Sequence, residues 1–174
     1  PPLAPREVTV AIPERIGADD GLVDPLDEDA VRHEVAKLAN AEVESIAICF
    51  LFSFLNDAHE KRTEAIVREM LPKCFVSRSS AIYPQYREYE RASTTAVNSY
   101  LGPRVSHYID RLSAEIEGTG LTAPLQLMQS NGGIISAAEA STFPCRIVES
   151  GPAAGVIAAA YFGSLLGRKN IIAF

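Results

Sequence analysis

The chain has 174 residues and a net charge of −6, enough length to bury a core as one large domain or two small ones. Its 47% hydrophobic and 22% charged content is ordinary for a globular protein, and the acid excess argues against a nucleic-acid or anionic-membrane surface. No apolar run reaches the roughly 18 residues that a membrane span requires. Cys49, Cys74 and Cys145 lie far apart without Cys-x-x-Cys spacing, which reads as reduced thiols of a cytoplasmic protein, Cys49 in the core. The N-terminus carries no signal-peptide pattern and no initiator Met, which reads as an excised segment.

In chain order, residues 7–12 (VTVAI preceded by Glu7) predict a short strand closed by Pro13. Residues 17–25 hold two glycines and three acids and predict a turn-rich loop. Asp27 then caps a helix whose apolar face is Ala30, Val31, Val35, Leu38 and Ala39. Residues 43–54 are apolar almost throughout and predict a strand covered on both faces. Asn56 caps a second helix that ends near Leu71-Pro72, and residues 75–77 predict another strand. The resulting β-α-β-α-β order implies an α/β lobe with parallel pairing. Tyr83-Pro84 closes it, so a boundary is expected near Tyr83–Arg87, dividing residues 1–84 from 85–174. A long helix is predicted from about Tyr86 to Glu117, broken or kinked at Gly102-Pro103. Residues 118–124 make a turn.

The last fifty residues hold the expected functional face. Residues 125–128 and 145–148 read as two short strands that lead into Ser130-Asn131-Gly132-Gly133 and Ser150-Gly151-Pro152. A small-residue helix follows the second, and residues 171–174 read as a final edge strand. Bare amides at strand-to-glycine turns, with a helix N-terminus beside them, suit an anionic or carbonyl ligand. For the first stretch the competing reading is a tight hairpin turn, which Asn-Gly favours, and Gly133 is expected to need positive φ. For the second, Ser150 would cap, Pro152 would fill the first turn and Gly155 would allow close packing on a sheet. Arg87, Glu90, Arg91, Thr94, Thr95 and Asn98 recur at helical spacing. They read either as the wall of a substrate cleft or as a solvated face. His33, His59 and His107 are too scattered for a zinc site, and His59 reads as a first-turn residue of its helix.

Four stretches together carry a resemblance: MQSNGGIIS at 128–136, VESGPAAGVIAAA at 148–160, CFLFSFLN at 49–56 with His59-Glu60, and REYER at 87–91 with Ser93, Thr94, Thr95 and Asn98. The chain resembles the hydantoinase A / 5-oxoprolinase family of ATP-dependent amide-ring hydrolases, to which an acetone carboxylase subunit is related. The resemblance implies an α/β fold, a β-α-β lobe followed by part of an actin-like (ribonuclease H-like) ATPase domain. It implies ATP and Mg²⁺ as cofactors and a hydantoinase B-type partner subunit or domain. It also implies that one DxGGT-type phosphate loop lies before Pro1 and another after Phe174, so the 174 residues alone are expected to be inactive. The site residues it favours are Arg91, Asn98, Ser130, Asn131, Gly132, Gly133, Ser150, Gly151, Pro152 and Gly155; catalytic groups are not assigned. A ketone carboxylase subunit and a non-catalytic scaffold are the alternatives.

Overall fold

The structure, a computed structural model that describes residues 3–173, is mixed α/β, with three two-stranded sheets among the described residues. Its contacts divide it into two compact units, Pro1–Pro103 and Arg104–Phe174.

In the first unit Asp27 caps as expected: its carboxylate accepts from the Ala30 N–H at 2.9 Å. Helix α1 (Glu28–Asn40) follows and buries Val31, Val35 and Leu38 at i, i+4, i+7. Asn56 Oδ1 accepts from the Ala58 N–H at 3.1 Å, and α2 (Ala58–Met70) runs from there. Two strands, at Ser45–Ile48 and Phe75–Arg78, pair in parallel, Ser45 opposite Phe75 and Ile48 opposite Arg78. The parallel pairing expected from the β-α-β order is present. Val31, Val35, Ile48, Ile66 and Val67 form the core, with Ile12, Phe50 and Val76 among the residues packed on it. Arg62 clasps Glu28 through two hydrogen bonds of 2.7 and 2.6 Å. They hold the exposed Glu28 carboxyl below its usual range.

Three expectations for this unit fail. The strand over residues 7–12 is absent: Arg6–Val8 is a 3-10 turn, the chain beyond it is largely exposed, and it pairs with no strand among the described residues. Instead β1 (Arg15–Ile16), ahead of the expected loop, pairs with β2 (Leu22–Asp24), inside it, as a small antiparallel hairpin that turns through Gly17–Gly21. With that hairpin first, the parallel pair is β3 (Ser45–Ile48) and β4 (Phe75–Arg78). The strand expected over 43–54 stops at Ile48, because Phe52 adopts a left-handed conformation (φ 59°) and residues 51–55 turn. Leu55 and Asn56 N–H groups donate back to Phe52 C=O at 2.9 and 3.2 Å. An unbroken apolar run satisfies a buried turn as well as a buried strand.

After the short α3 (Ser79–Ile82), α4 (Glu88–Gly118) is continuous through Pro103, which lacks only the one N–H donation to the preceding turn. The units divide at Pro103, further along than Tyr83–Arg87, because the first half of α4 is bonded into the first unit. Asn98 Nδ2 donates to Ser77 Oγ at 3.0 Å, and Ser99 Oγ donates to the Ile46 carbonyl at 3.2 Å.

The second unit contains the antiparallel hairpin β5 (Gln126–Met128) and β6 (Ile134–Ser136), then α5 (Ala137–Thr142) and α6 (Ser150–Leu165). Ser136 and Glu139 form a reciprocal capping box on α5. Ile109, Ile135 and Ala140 are its core, supported by Val105, Leu127, Ala137 and Ile147. The strand expected at 145–148 is a 3-10 turn, Pro144–Ile147, closed by the Arg146 N–H on Phe143 C=O at 2.9 Å. Residues 171–173 form no strand: Gly167 turns at φ 64°, the Arg168 N–H bonds Gly163 C=O at 2.8 Å, and Ile171 folds back against Gly163. Phe174 lies outside the described residues. All three cysteines are half-buried, Cys49 included. Burial pushes the Cys74 and Cys145 thiols up.

Candidate functional site

The hairpin reading of Ser130–Gly133 is correct. Gln129 and Gly133 close it with a 2.7 Å bond, and the Gly132 N–H bonds Gln129 C=O at 3.0 Å. Asn131 Oδ1 accepts from the Gly133 N–H at 2.9 Å, the local side-chain turn that asparagine favours. Ser130 anchors the turn to the following segment: its N–H and hydroxyl reach the Arg146 carbonyl at 2.8 and 2.9 Å, and the hydroxyl also contacts the Val148 carbonyl. Three of the four amides are therefore engaged internally. Asn131 N–H alone remains open among the described hydrogen bonds, so the turn is a poorer anion cradle than its two glycines suggest. The residue with positive φ is Gly132 (87°), not Gly133.

The SGP stretch also differs from expectation. Glu149, not Ser150, occupies the N-cap of α6, in the left-handed region (φ 57°, ψ 26°) and with no side-chain capping bond. Ser150 is the first helical residue and Pro152 sits in the first turn. A Cβ at Gly151 or Gly155 would meet nothing within 4 Å, so neither glycine serves close packing. The helix carries no charged residue, yet Val156, Ile157, Tyr161, Phe162, Leu165 and Leu166 are exposed.

The two glycine-bearing stretches nonetheless meet. Ser130, Asn131 and Gly132 share one open depression of about 500 Å³ with Val148, Glu149, Pro152, Ala153, Val156 and Ile157. Gly133, Ser150, Gly151 and Gly155 do not line it. Glu149 is its only charged lining residue. Sequence reasoning missed that carboxylate; the available signal was a glutamate immediately ahead of Ser150-Gly151-Pro152. At Gly132 a Cβ would lie 2.6 Å from Ile157 Cδ1, besides suffering the positive φ. Gly132→Ala is expected to cost about 1–2 kcal/mol and shift Ile157 into the depression. A lowered urea midpoint in the variant checks this.

Arg91 and Asn98 belong to the first unit and are fully buried, as is Thr95. Neither a cleft wall nor a solvated face describes them. Arg91 donates from Nε to Ser79 Oγ (3.2 Å), from one terminal nitrogen to Gln85 C=O (2.8 Å) and from the other to Phe50 C=O (3.0 Å). Its guanidinium also stands 5.3 Å from the Phe54 ring centre. Opposite it, buried Glu60 accepts from the Phe50 N–H (2.9 Å), Ser79 Oγ (2.6 Å) and the Ser80 N–H (2.8 Å). Ser79 Oγ touches both charges and also Ser53 Oγ at 3.0 Å. The helical period was legible; which way the stripe faced was not. Of the stripe, Arg87 and Glu90 keep exposed side chains and pair at 3.1 Å. His59 Nδ1 lies 2.7 Å from Glu14 Oε2. Among the described residues no group of three His, Cys, Asp or Glu is placed to hold a metal ion, and no helix is long and apolar enough to cross a membrane.

Two family models match the chain. The hydantoinase/oxoprolinase N-terminal region covers residues 1–71 and hydantoinase/oxoprolinase covers residues 91–174. The caprolactamase subunit alpha of Pseudomonas jessenii is 36% identical over 98% of the chain and 24% of its own length. A nucleotide-free acetone carboxylase structure matches with a TM-score of 0.88 at 33% identity, covering 98% of this chain and 24% of that one. The ATP-dependent caprolactamase structure from P. jessenii matches with a TM-score of 0.73 at 37% identity, over 87% of this chain and 23% of that one. The chain thus spans about a quarter of these relatives. The matches cover both units, and on them the chain belongs to the hydantoinase/oxoprolinase family.

Proposed function

We propose that this chain is part of a cytoplasmic, ATP-dependent hydrolase of cyclic amides that works with a hydantoinase B-type partner subunit. The observation that carries this reading is the joint sequence and structural likeness to an ATP-dependent caprolactamase, since a lactam is a cyclic amide. An actin-like ATPase fold for the whole second domain belongs to the same reading.

The depression suits the amide better than the nucleotide. No cationic side chain lines it and Glu149 adds negative charge, so it offers a triphosphate no counter-charge. A neutral ring has what it needs: Val148, Pro152, Val156 and Ile157 face its methylenes. The free Asn131 N–H can bind its oxygen. ATP supplies the phosphoryl group that makes the amide carbon open to attack by water. The chain's residues hold the ring and align donors with the charge that develops on it.

The acetone carboxylase likeness over nearly the whole chain favours a second reading, an ATP-dependent ketone carboxylase subunit. The test is ADP formation by the full-length protein with its partner subunit, offered hydantoins, 5-oxoproline, ε-caprolactam, or acetone with bicarbonate. Amide-dependent ADP supports the hydrolase. ADP that requires ketone and bicarbonate supports the carboxylase, and ADP with neither leaves a scaffold.

A further inference from the structure

We infer that Glu149 is the general base of the ring-opening reaction, taking the proton from the water that attacks the activated amide; this rests on the reading of the depression as the amide site. Three observations converge on it. Glu149 is the only titratable side chain among the residues lining the depression. Its carboxylate makes no hydrogen bond or ion pair among the described residues, unlike those of Glu60 and Glu139. Its backbone occupies the left-handed region at φ 57°, a conformation that glycine or asparagine adopts at lower cost. Glu149 is exposed, makes no capping bond and no pair with a cation, and stands in left-handed backbone on the lining of the depression. Strain of this kind is retained where the side chain is needed. The argument rests on the carboxylate and not on the helix dipole.

The step balances as follows. Phosphoryl transfer from ATP gives an O-phosphorylated cyclic amide and ADP. A water oxygen bonds to the former carbonyl carbon while Glu149 takes one of the water's protons. The carbon–nitrogen bond then breaks as the added hydroxyl becomes a carbonyl, and the ring nitrogen leaves as an amine that receives the proton held by Glu149 and the one released by that hydroxyl. An acyl phosphate remains, and a second water hydrolyses it to carboxylate and phosphate.

The test uses the full-length enzyme with its partner subunit, MgATP, and ε-caprolactam or 5-oxoproline as probe. Glu149→Gln is expected to lower kcat for ring opening roughly 100-fold or more, the scale of a lost general base. KM for the amide and the ADP formed in the first turnover are expected to persist. Glu149→Gly is expected to lose the same activity while melting at or above the wild-type temperature, because it relieves the backbone strain. Glu149→Asp is expected to recover part of the rate. Wild-type kcat in both the Gln and Gly variants overturns the base role and leaves the amide-hydrolase reading intact. Activity lost together with a lowered melting temperature in both variants shows a structural role and also overturns it. No ATP-dependent amide turnover by the wild type removes the hydrolase reading, and this inference with it.

Discussion

Arg91→Ala is expected to unfold the first unit at ordinary temperatures. The guanidinium is fully buried and each of its three nitrogens serves a different acceptor, Ser79 Oγ, Gln85 C=O and Phe50 C=O. Removing it takes the Gln85 carbonyl's donor, leaves the Phe50 carbonyl with only the Ser53 N–H at 3.4 Å, and removes the cation that shares Ser79 Oγ with buried Glu60. Breaking one side of a buried ionic network costs about 3–5 kcal/mol, which in a unit of this size lowers the melting temperature on the order of 15 °C or more. Arg91→Lys is not a rescue, because a single ammonium cannot span three directions. Thermal melts of the wild type and both variants check this. A loss under 1 kcal/mol shows that water enters and replaces the guanidinium.

Gly102→Val is the second large loss, and it runs against helix propensity. At an exposed helical site, replacing glycine with a residue that carries a side chain gains up to about 1 kcal/mol. Here a Cβ would lie 2.3 Å from both Cδ1 and Cε1 of Phe75 and 2.6 Å from Cγ. The contact is with the broad body of a ring, not the tip of a flexible chain, and the ring belongs to β4. Overpacking of this sort costs about 1–3 kcal/mol, with valine at the upper end. A urea midpoint below wild type is expected even for Gly102→Ala. A raised midpoint shows that Phe75 turns aside without cost.

These two sites mark where the sequence could and could not be read. Asp27 and its helix were legible because a cap needs only the next three residues. The parallel pairing of β3 and β4 followed from the order of elements, with the chain reversing through α2 between them. The end of β3 was not legible. Phe50 has its N–H taken by Glu60 and its C=O by Arg91, ten and 41 residues away, so two distant charges decide where the ladder stops. The same charges decide that the stripe Arg91, Thr95 and Asn98 faces inward. In the second unit both glycine stretches were found and do share a depression. Which amides remain open depends on Ser130 bonding across to Arg146 and Val148, and turn chemistry alone does not reveal that. Glu149 escaped notice because its significance lies in its backbone angle.

Helix α6 has a practical consequence for anyone handling the chain. Five large apolar side chains, with Leu166 at the C-cap, stand exposed along an uncharged helix, and this belongs to the folded state. Such a surface takes up environment-sensitive dyes and hydrophobic resins while everything else is native. Strong ANS fluorescence from this chain is therefore expected alongside intact near-ultraviolet dichroism, a pairing that separates it from a molten globule, where the dichroism is lost. Mild non-ionic detergent is expected to quench the dye signal without lowering the melting temperature, since it covers a face that is already open.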